Sequence, residues 1–360
     1  MKDLHPDEIE RVLIRGTNWV GDAVMSVPAM REIRRIYPRA RISLLVRPWV
    51  RDVYAGVDFV DEILELDKTQ THRGVGGLLR LAADLRQRSF EVSILLQNAM
   101  EAAILSWLAR IPIRVGYARD GRGIFLTHAC RIDPAVRRMH QAYYYLGILT
   151  AAGLLDACPW KRPGYRLSID LAVRKADQAA AGQMLREHGI RPGHTVIGIN
   201  PGAYYGGAKR WLSERYAAVA DALISRYDAR ILVFGSPSER RVADEVASHM
   251  VHQPVILAGR TTLGQLMALI RECSLLITND SGPMHLAAAL AVPQLAIFGS
   301  TSEAATGPLS ERAEVIKEPV ECSPCFLREC PIDFRCMTRI SVERVLRAAE
   351  TMLSSLREIN

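Results

Sequence analysis

At 360 residues the chain is longer than one core comfortably serves, and it fits two domains that each bury an interior without disulfide or metal staples. With 49% hydrophobic and 24% charged residues it is an ordinary globular chain, which excludes the disordered and fibrous classes. A formal net charge of +7 favours anionic partners, but aromatic residues make up only 6% and no zinc-finger, homeodomain or RNA-recognition pattern is present, which speaks against nucleic acid.

The opening residues Met1-Lys2-Asp3-Leu4-His5-Pro6-Asp7-Glu8 are acidic and lack the apolar run of a signal peptide, so export is not expected. Val12-Leu13-Ile14-Arg15 reads as a short strand ending at Gly16, and the spacing from Ala23 to Ile36 predicts a helix stopped by Pro38. Further strands are predicted at 41–46, 62–66 and 92–96, with helical patterns between several of them. Strand and helix in alternation imply a parallel sheet with crossover helices.

Pro, Gly and charge then cluster at Trp160-Lys161-Arg162-Pro163-Gly164 and at Arg191-Pro192-Gly193, marking a domain boundary. Beyond it the scheme repeats, with buried strands predicted at 195–199, 231–234, 275–278 and 294–298. The most apolar stretch, from Leu286 to Phe298, is interrupted by Pro293 and is shorter than the roughly 20 residues a membrane span takes. The fold class is therefore α/β, two doubly wound parallel-sheet domains over 1–175 and 176–338, followed at 339–360 by a helix expected to pack back on the first domain.

Open sheets of this kind bind ligands at the carboxyl ends of their strands, so the loops after strands carry the functional expectations. Gly16-Thr17-Asn18-Trp19-Val20-Gly21-Asp22 leaves the first strand and sets Asp22 near a helix start, where a carboxylate is held anionic and can accept a proton; the plain alternative is a helix cap. Its glycines do not have the spacing of a dinucleotide-binding turn. Asn200-Pro201-Gly202-Ala203-Tyr204-Tyr205-Gly206-Gly207-Ala208-Lys209-Arg210-Trp211 offers glycines for close approach to an anion and Lys209 as a mobile cation. It is not a P-loop, because Ala208 precedes Lys209 and Arg210 stands where Ser or Thr would bind magnesium. Thr278-Asn279-Asp280-Ser281-Gly282-Pro283-Met284-His285 ends a strand and opens an alanine-rich helix, with Ser281 and the following amides as an anion site and His285 one turn in.

Cys322, Cys325, Cys330 and Cys336 have the spacing C-x2-C-x4-C-x5-C. Four thiolates that dense suit one structural zinc ion; the alternative is a set of reduced thiols serving as small hydrophobes.

The three loops, in this order and at this separation, resemble the heptosyltransferases that build the lipopolysaccharide inner core, a family of GT-B fold that uses ADP-heptose. The resemblance runs from Val12 to the C-terminal helix, and Asn18-Trp19-Val20-Gly21-Asp22 together with the cysteine-rich tail look more like the second of the two inner-core groups. It implies two Rossmann-like domains facing across a cleft, the first for the acceptor and the second for the ADP-sugar, and inverting transfer of L-glycero-D-manno-heptose from ADP-heptose to heptosyl-Kdo2-lipid A. By the same resemblance Asp22 is the general base, Lys209 binds the donor diphosphate, and Asp280, Ser281, Gly282 and His285 line the donor site. Glu239 then matches a ribose-binding glutamate, and Thr261 and Leu263 fall where adenine is held. No required cofactor or catalytic metal is implied. Leu212 departs from the family, many of whose members have proline there.

Arg119, Arg122, Arg137, Arg138 and His140 cluster with Arg114 in the first domain and suit the phosphates or Kdo carboxylates of a lipid A core, a solvated charged surface being the plain alternative. Location in the cytoplasm, with peripheral contact at the inner membrane, follows from that acceptor. Two competing readings are a related glycosyltransferase with another nucleotide sugar or core or O-antigen acceptor, and a basic zinc-containing module that binds nucleic acid or phospholipid.

Overall fold

A computed structural model describes residues 6–359, and the chain divides into two compact units, Met1–Leu171 and Ala172–Asn360. The division falls four residues before the boundary expected at 175.

The first unit holds β1 (Arg11–Arg15), β2 (Arg41–Val46), β3 (Glu62–Glu65), β4 (Val92–Leu95), β5 (Ile113–Tyr117) and β6 (His128–Cys130), hydrogen-bonded in the order β3-β2-β1-β4-β5-β6. All pairings are parallel. Helices Gly74–Gln87 and Met100–Leu108 cover one face, where Leu13 and Leu45 pack with Leu81, Leu85 and Leu105. With both faces covered, β1, β2 and β4 carry near-continuous apolar runs, which is why they were legible.

The helix expected from Ala23 to Ile36 is two helices, Val20–Met25 and Val27–Ile36, joined at Ser26. Pro28 is the reason: it has no amide to donate to the carbonyl of Val24, so the first helix stops and a second starts with proline in its first turn. At the junction the Ser26 hydroxyl donates to the Ala23 carbonyl at 2.8 Å.

The second unit repeats the topology. Its strands β7 (Val196–Asn200), β8 (Arg230–Val233), β9 (Val255–Ile256), β10 (Leu275–Asn279), β11 (Gln294–Phe298) and β12 (Ala313–Lys317) form a sheet in the order β12-β11-β10-β7-β8-β9. In each sheet the strand order reverses between the first and fourth strands, β1 and β4 or β7 and β10, and loops leaving that point diverge to open a crevice. Asn200 pairs with Thr278 at the second of these points, which brings the ends of β7 and β10 together.

The terminal helix Val342–Ile359, expected against the first domain, buries Val345, Leu346, Ala349 and Leu353 in the core of the second unit. The three-to-four spacing of these residues makes one apolar stripe, which lies with Tyr216, Leu223, Ile277 and Ile297. Among the described residues no helix is long and apolar enough to cross a membrane.

Replacing Leu353 by Ala removes one member of that stripe and should cost about 2–5 kcal/mol, read as a lower urea midpoint for the second unit. An unchanged midpoint would show that the helix adds nothing to this core.

Candidate functional site

At the β7/β10 switch point the two motif loops of the second unit become one structure. Asn279 is fully buried; its Oδ1 accepts from the Trp211 amide at 3.0 Å and the Tyr216 hydroxyl at 2.9 Å, and its Nδ2 donates to the Pro201 carbonyl at 2.8 Å. Asn200 donates from its own Nδ2 to the Ser281 hydroxyl at 3.1 Å. Both ends of the 200–211 loop are thereby fastened to the end of β10. The Asn279-Asp280-Ser281 sequon is consequently an interior device and no sugar acceptor.

Lys209 reaches inward from this loop and donates from Nζ to Asp280 Oδ2 at 2.5 Å, and Thr301 Oγ1 donates to the same oxygen at 2.6 Å. The Lys209 side chain is 13% exposed and that of Asp280 4%. The ammonium also sits 4.9 Å from the centre of the Tyr205 ring. Beside them the helix Gly282–Ala289 starts from Ser281 with no side chain capping it. Uncapped amides and a clamped ammonium are the elements of an anion site. His285 is buried in the first turns of that helix.

Glu239 meets the same loop. A β-carbon on Gly202 would fall 2.3 Å from Glu239 Oε1, so the carboxylate lies flat against the backbone after β7. Its Oε2 accepts from the Ser236 amide at 2.9 Å and the Ser236 hydroxyl at 2.7 Å, closing a capping box. Leu263 opens the helix Leu263–Arg271, capped by Thr262, and Thr261 immediately precedes the cap. Asp280, Lys209, Glu239, Thr261 and Leu263 thus all follow carboxyl ends of strands in one sheet.

Two residues of this site carried no role in the sequence reading. Thr301 lies in the loop after β11, and a search of every strand-end loop would have found it. Tyr205 falls inside the expected anion loop, where only the glycines and Lys209 carried a role. The glycines are a correction: Gly206 and Gly207 do not open the backbone to an anion, because β-carbons there would meet the Arg328 carbonyl at 2.3 Å and Glu329 Oε2 at 2.6 Å.

In the first unit Asp22 lies within the first turn of Val20–Met25, whose cap position is Trp19. It is therefore not the helix cap of the plain alternative. The Tyr145 hydroxyl donates to Asp22 Oδ1 at 2.9 Å. Burial, and then the Asp22 charge, push the Tyr145 phenol well above its ordinary range, so it stays a neutral donor. The loop before Asp22 is shaped by buried Arg15, which donates to the carbonyls of Gly16 at 2.6 Å and Leu45 at 3.1 Å and to Asn18 Oδ1 at 3.1 Å. Tyr145, on an apolar helix, gave no sequence signal.

The basic cluster separates. Arg119, Arg137 and Arg138 are exposed. Arg122 is not part of that surface: it is fully buried and donates to the carbonyls of Tyr117 at 2.7 Å and Gln97 at 2.5 Å and to Asn98 Oδ1 at 3.1 Å. Arg114 likewise turns back, to the carbonyls of Phe125 and Ile111, both at 2.6 Å. His140 caps the helix Gln141–Ala151, its Nδ1 accepting from the Ala142 amide at 3.2 Å.

All four tail cysteines are free thiols; Cys322 and Cys325 are exposed and Cys336 is buried. Among the described residues no three His, Cys, Asp or Glu side chains gather closely enough to hold a metal ion. Cys336 packs in the apolar core with Met337 and Ile340, and burial, then the nearby Cys322, Cys330 and Cys325, push its thiol up from the ordinary range.

Residues 78–334 match the family model described as glycosyltransferase family 9 (heptosyltransferase). The chain is 30% identical over 316 residues to lipopolysaccharide heptosyltransferase 2 of Salmonella typhimurium, covering 85% of this chain and 88% of that one. It is 32% identical over 315 residues to lipooligosaccharide heptosyltransferase 2 of Haemophilus ducreyi, with the same 85% and 88% coverage. Among solved structures, E. coli ADP-heptose lps heptosyltransferase II superposes with a TM-score of 0.83 at 27% identity, over 98% of this chain and 100% of that chain.

Asn279→Ala would leave the buried Trp211 amide and Tyr216 hydroxyl without acceptors, a loss of about 2–4 kcal/mol. The expected readout is a lower urea midpoint for the second unit; an unchanged midpoint would show that these donors do not depend on the Asn279 amide.

Proposed function

We propose that this chain, which belongs to glycosyltransferase family 9, the heptosyltransferases, moves L-glycero-D-manno-heptose from ADP-heptose to heptosyl-Kdo2-lipid A during assembly of the lipopolysaccharide inner core. That it is a glycosyltransferase follows from the family. The donor and the acceptor are inferred from relatives named for heptose transfer to lipopolysaccharide and lipooligosaccharide, and from a neighbour named for ADP-heptose.

One observation carries the reading most directly: Lys209, held by Asp280, stands beside an uncapped helix start at a switch point. An ammonium has three protons, and the bond to Asp280 leaves two for phosphate oxygens. Asp280 therefore serves the donor by aiming Lys209, since a carboxylate repels a diphosphate. Ser281 and Gly282 bring the helix amides up to the same anion, and His285 faces it from the first turns. Glu239, pinned against Gly202, is suited to the ribose hydroxyls, with Thr261 and Leu263 beside the adenine.

In the reaction, Asp22 removes the proton of an acceptor heptose hydroxyl. The resulting oxygen attacks the anomeric carbon from the face opposite the diphosphate, the bond from that carbon to the diphosphate oxygen breaks, and ADP departs. One displacement inverts the anomeric centre. Negative charge grows on the leaving diphosphate, where Lys209 and the helix amides stabilise it without reorganising. Tyr145 fixes the other Asp22 oxygen, so the carboxylate meets the hydroxyl in one orientation. Exposed Arg119, Arg137 and Arg138 are offered to the phosphates and Kdo carboxylates of the acceptor, with peripheral contact at the cytoplasmic face of the inner membrane, whereas Arg122 and His140 shape the loops behind them.

Incubation with ADP-heptose and heptosyl-Kdo2-lipid A should add the mass of one heptose. Asp22→Ala should lower turnover by at least about a thousandfold while ADP affinity by calorimetry stays within about twofold; wild-type turnover in that variant removes the base assignment. Lys209→Ala should weaken ADP binding about tenfold or more, and Tyr145→Phe should lower kcat about tenfold with the donor KM unchanged.

A further inference from the structure

The cysteine-bearing segment lies directly behind the Lys209 loop. The Tyr205 hydroxyl donates to the Phe326 carbonyl at 2.6 Å, the Ala208 amide to the Arg328 carbonyl at 2.9 Å, and the Gly207 amide to Glu329 Oε1 at 3.1 Å. The Arg328 guanidinium also lies 5.4 Å from the centre of the Tyr205 ring, which the Lys209 ammonium shares. On its other side the segment is tied to the loop after β11: the Ser323 hydroxyl donates to the Gly299 carbonyl at 2.6 Å and the Phe326 amide to the Ser300 carbonyl at 2.8 Å. Those two loops supply Lys209 and Thr301, the two partners of Asp280.

We infer that Ser323–Glu329 is a brace of the nucleotide-diphosphate-sugar site, and that Glu329 and Tyr205 are positioning residues which set where Lys209 stands. The inference rests on the reading of Lys209 as the donor-binding cation and deepens it. Its physical basis is that the 200–211 loop is fastened at its ends by Asn200 and Asn279, whereas its middle, from Tyr205 to Ala208, is held by these bonds to the tail segment, so that without them part of the cost of ordering Lys209 would fall on the binding step. Gly206 and Gly207 agree with it, since each packs against this segment where any larger residue would push the loop away. The brace also explains why a run of exposed residues, Cys325 to Glu329, has a defined place on the surface.

The test uses the full chain. Glu329→Ala removes the acceptor for the Gly207 amide and should raise the donor KM about tenfold, with kcat, acceptor KM and thermal midpoint near wild type. Glu329→Gln, which keeps an oxygen acceptor, should restore the donor KM to within about twofold. Tyr205→Phe, which keeps the ring under Lys209 and loses the bond to Phe326, should shift the donor KM the same way. Bound ADP should also slow alkylation of Cys325 by iodoacetamide, with Cys158 of the first unit as the internal control. Wild-type donor KM in Glu329→Ala, while Lys209→Ala still loses ADP binding, overturns the brace. A lowered donor KM in both Glu329 variants also overturns it, because the carboxylate would then act only by repelling the diphosphate. If Lys209→Ala binds ADP normally, the donor-site reading falls and this inference with it.

Discussion

The second unit depends on a single buried amide. Asn279 lies at the end of the central strand with no contact with solvent, and such a group is costly unless its donors and acceptors are satisfied. It is satisfied by the loop that leaves the neighbouring strand, through Trp211 and Pro201, and by Tyr216 on the helix Ser213–Tyr227 that follows the loop. Remove that loop and the amide is orphaned; remove the amide and the loop loses its anchor. The Lys209–Asp280 pair hangs from this closure, because Lys209 is two residues from the anchored Trp211 amide and Asp280 is the residue after Asn279.

The first unit reaches a comparable result with cations. Arg15 and Arg122 are both interior, and both give their protons to main-chain carbonyls and a loop asparagine. A guanidinium has five donors in a fixed fork, so one side chain can fix several carbonyls that have left the strand ladder and have no other partner. Arg15 fixes the loop after β1 and Arg122 the loop after β4, the two loops of the first switch point. Burial and the nearby Arg47 push the Arg15 guanidinium down to about 9, a measure of how far from water it sits.

What could be read in the sequence divides along physical lines. Strands covered on both faces were legible because burial demands continuous apolar residues, and β1, β2, β4, β7, β8, β10 and β11 were all located this way. β5 escaped because Arg114 and Gly116 interrupt it; β6 and β9 are three and two residues long. β12 lies at a sheet edge, and its Ala313-Glu314-Val315-Ile316-Lys317, with two charges in five residues and only Ile316 buried, lacks the continuous apolar run of the inner strands. At the site, the motif loops were legible because glycine, proline and charge rarely follow a buried strand without cause. Their partners were not: Tyr145 reaches Asp22 from 123 positions away, and Glu329 reaches Gly207 from 122. Such contacts are set by tertiary packing, and local spacing holds no trace of them.

The Lys209–Asp280 pair shows how these levels meet. A nearly buried ion pair returns little net stability, since desolvation of both groups offsets their attraction, yet losing one partner leaves a buried charge at a cost of about 3–5 kcal/mol. Stability alone would be served as well by two apolar side chains. What the pair provides is position: with one proton fixed by Asp280, Asp280 fixed by Thr301, and the charge set over the Tyr205 ring, the ammonium has a defined place before any anion arrives. An ordered cation acts on developing charge without first having to be gathered, which is the condition under which electrostatics lowers a barrier. The tail segment extends the same logic outward, because it holds the middle of the Tyr205 loop, between the two ends already fastened to β10, and bonds to the carbonyls of Gly299 and Ser300 just before Thr301.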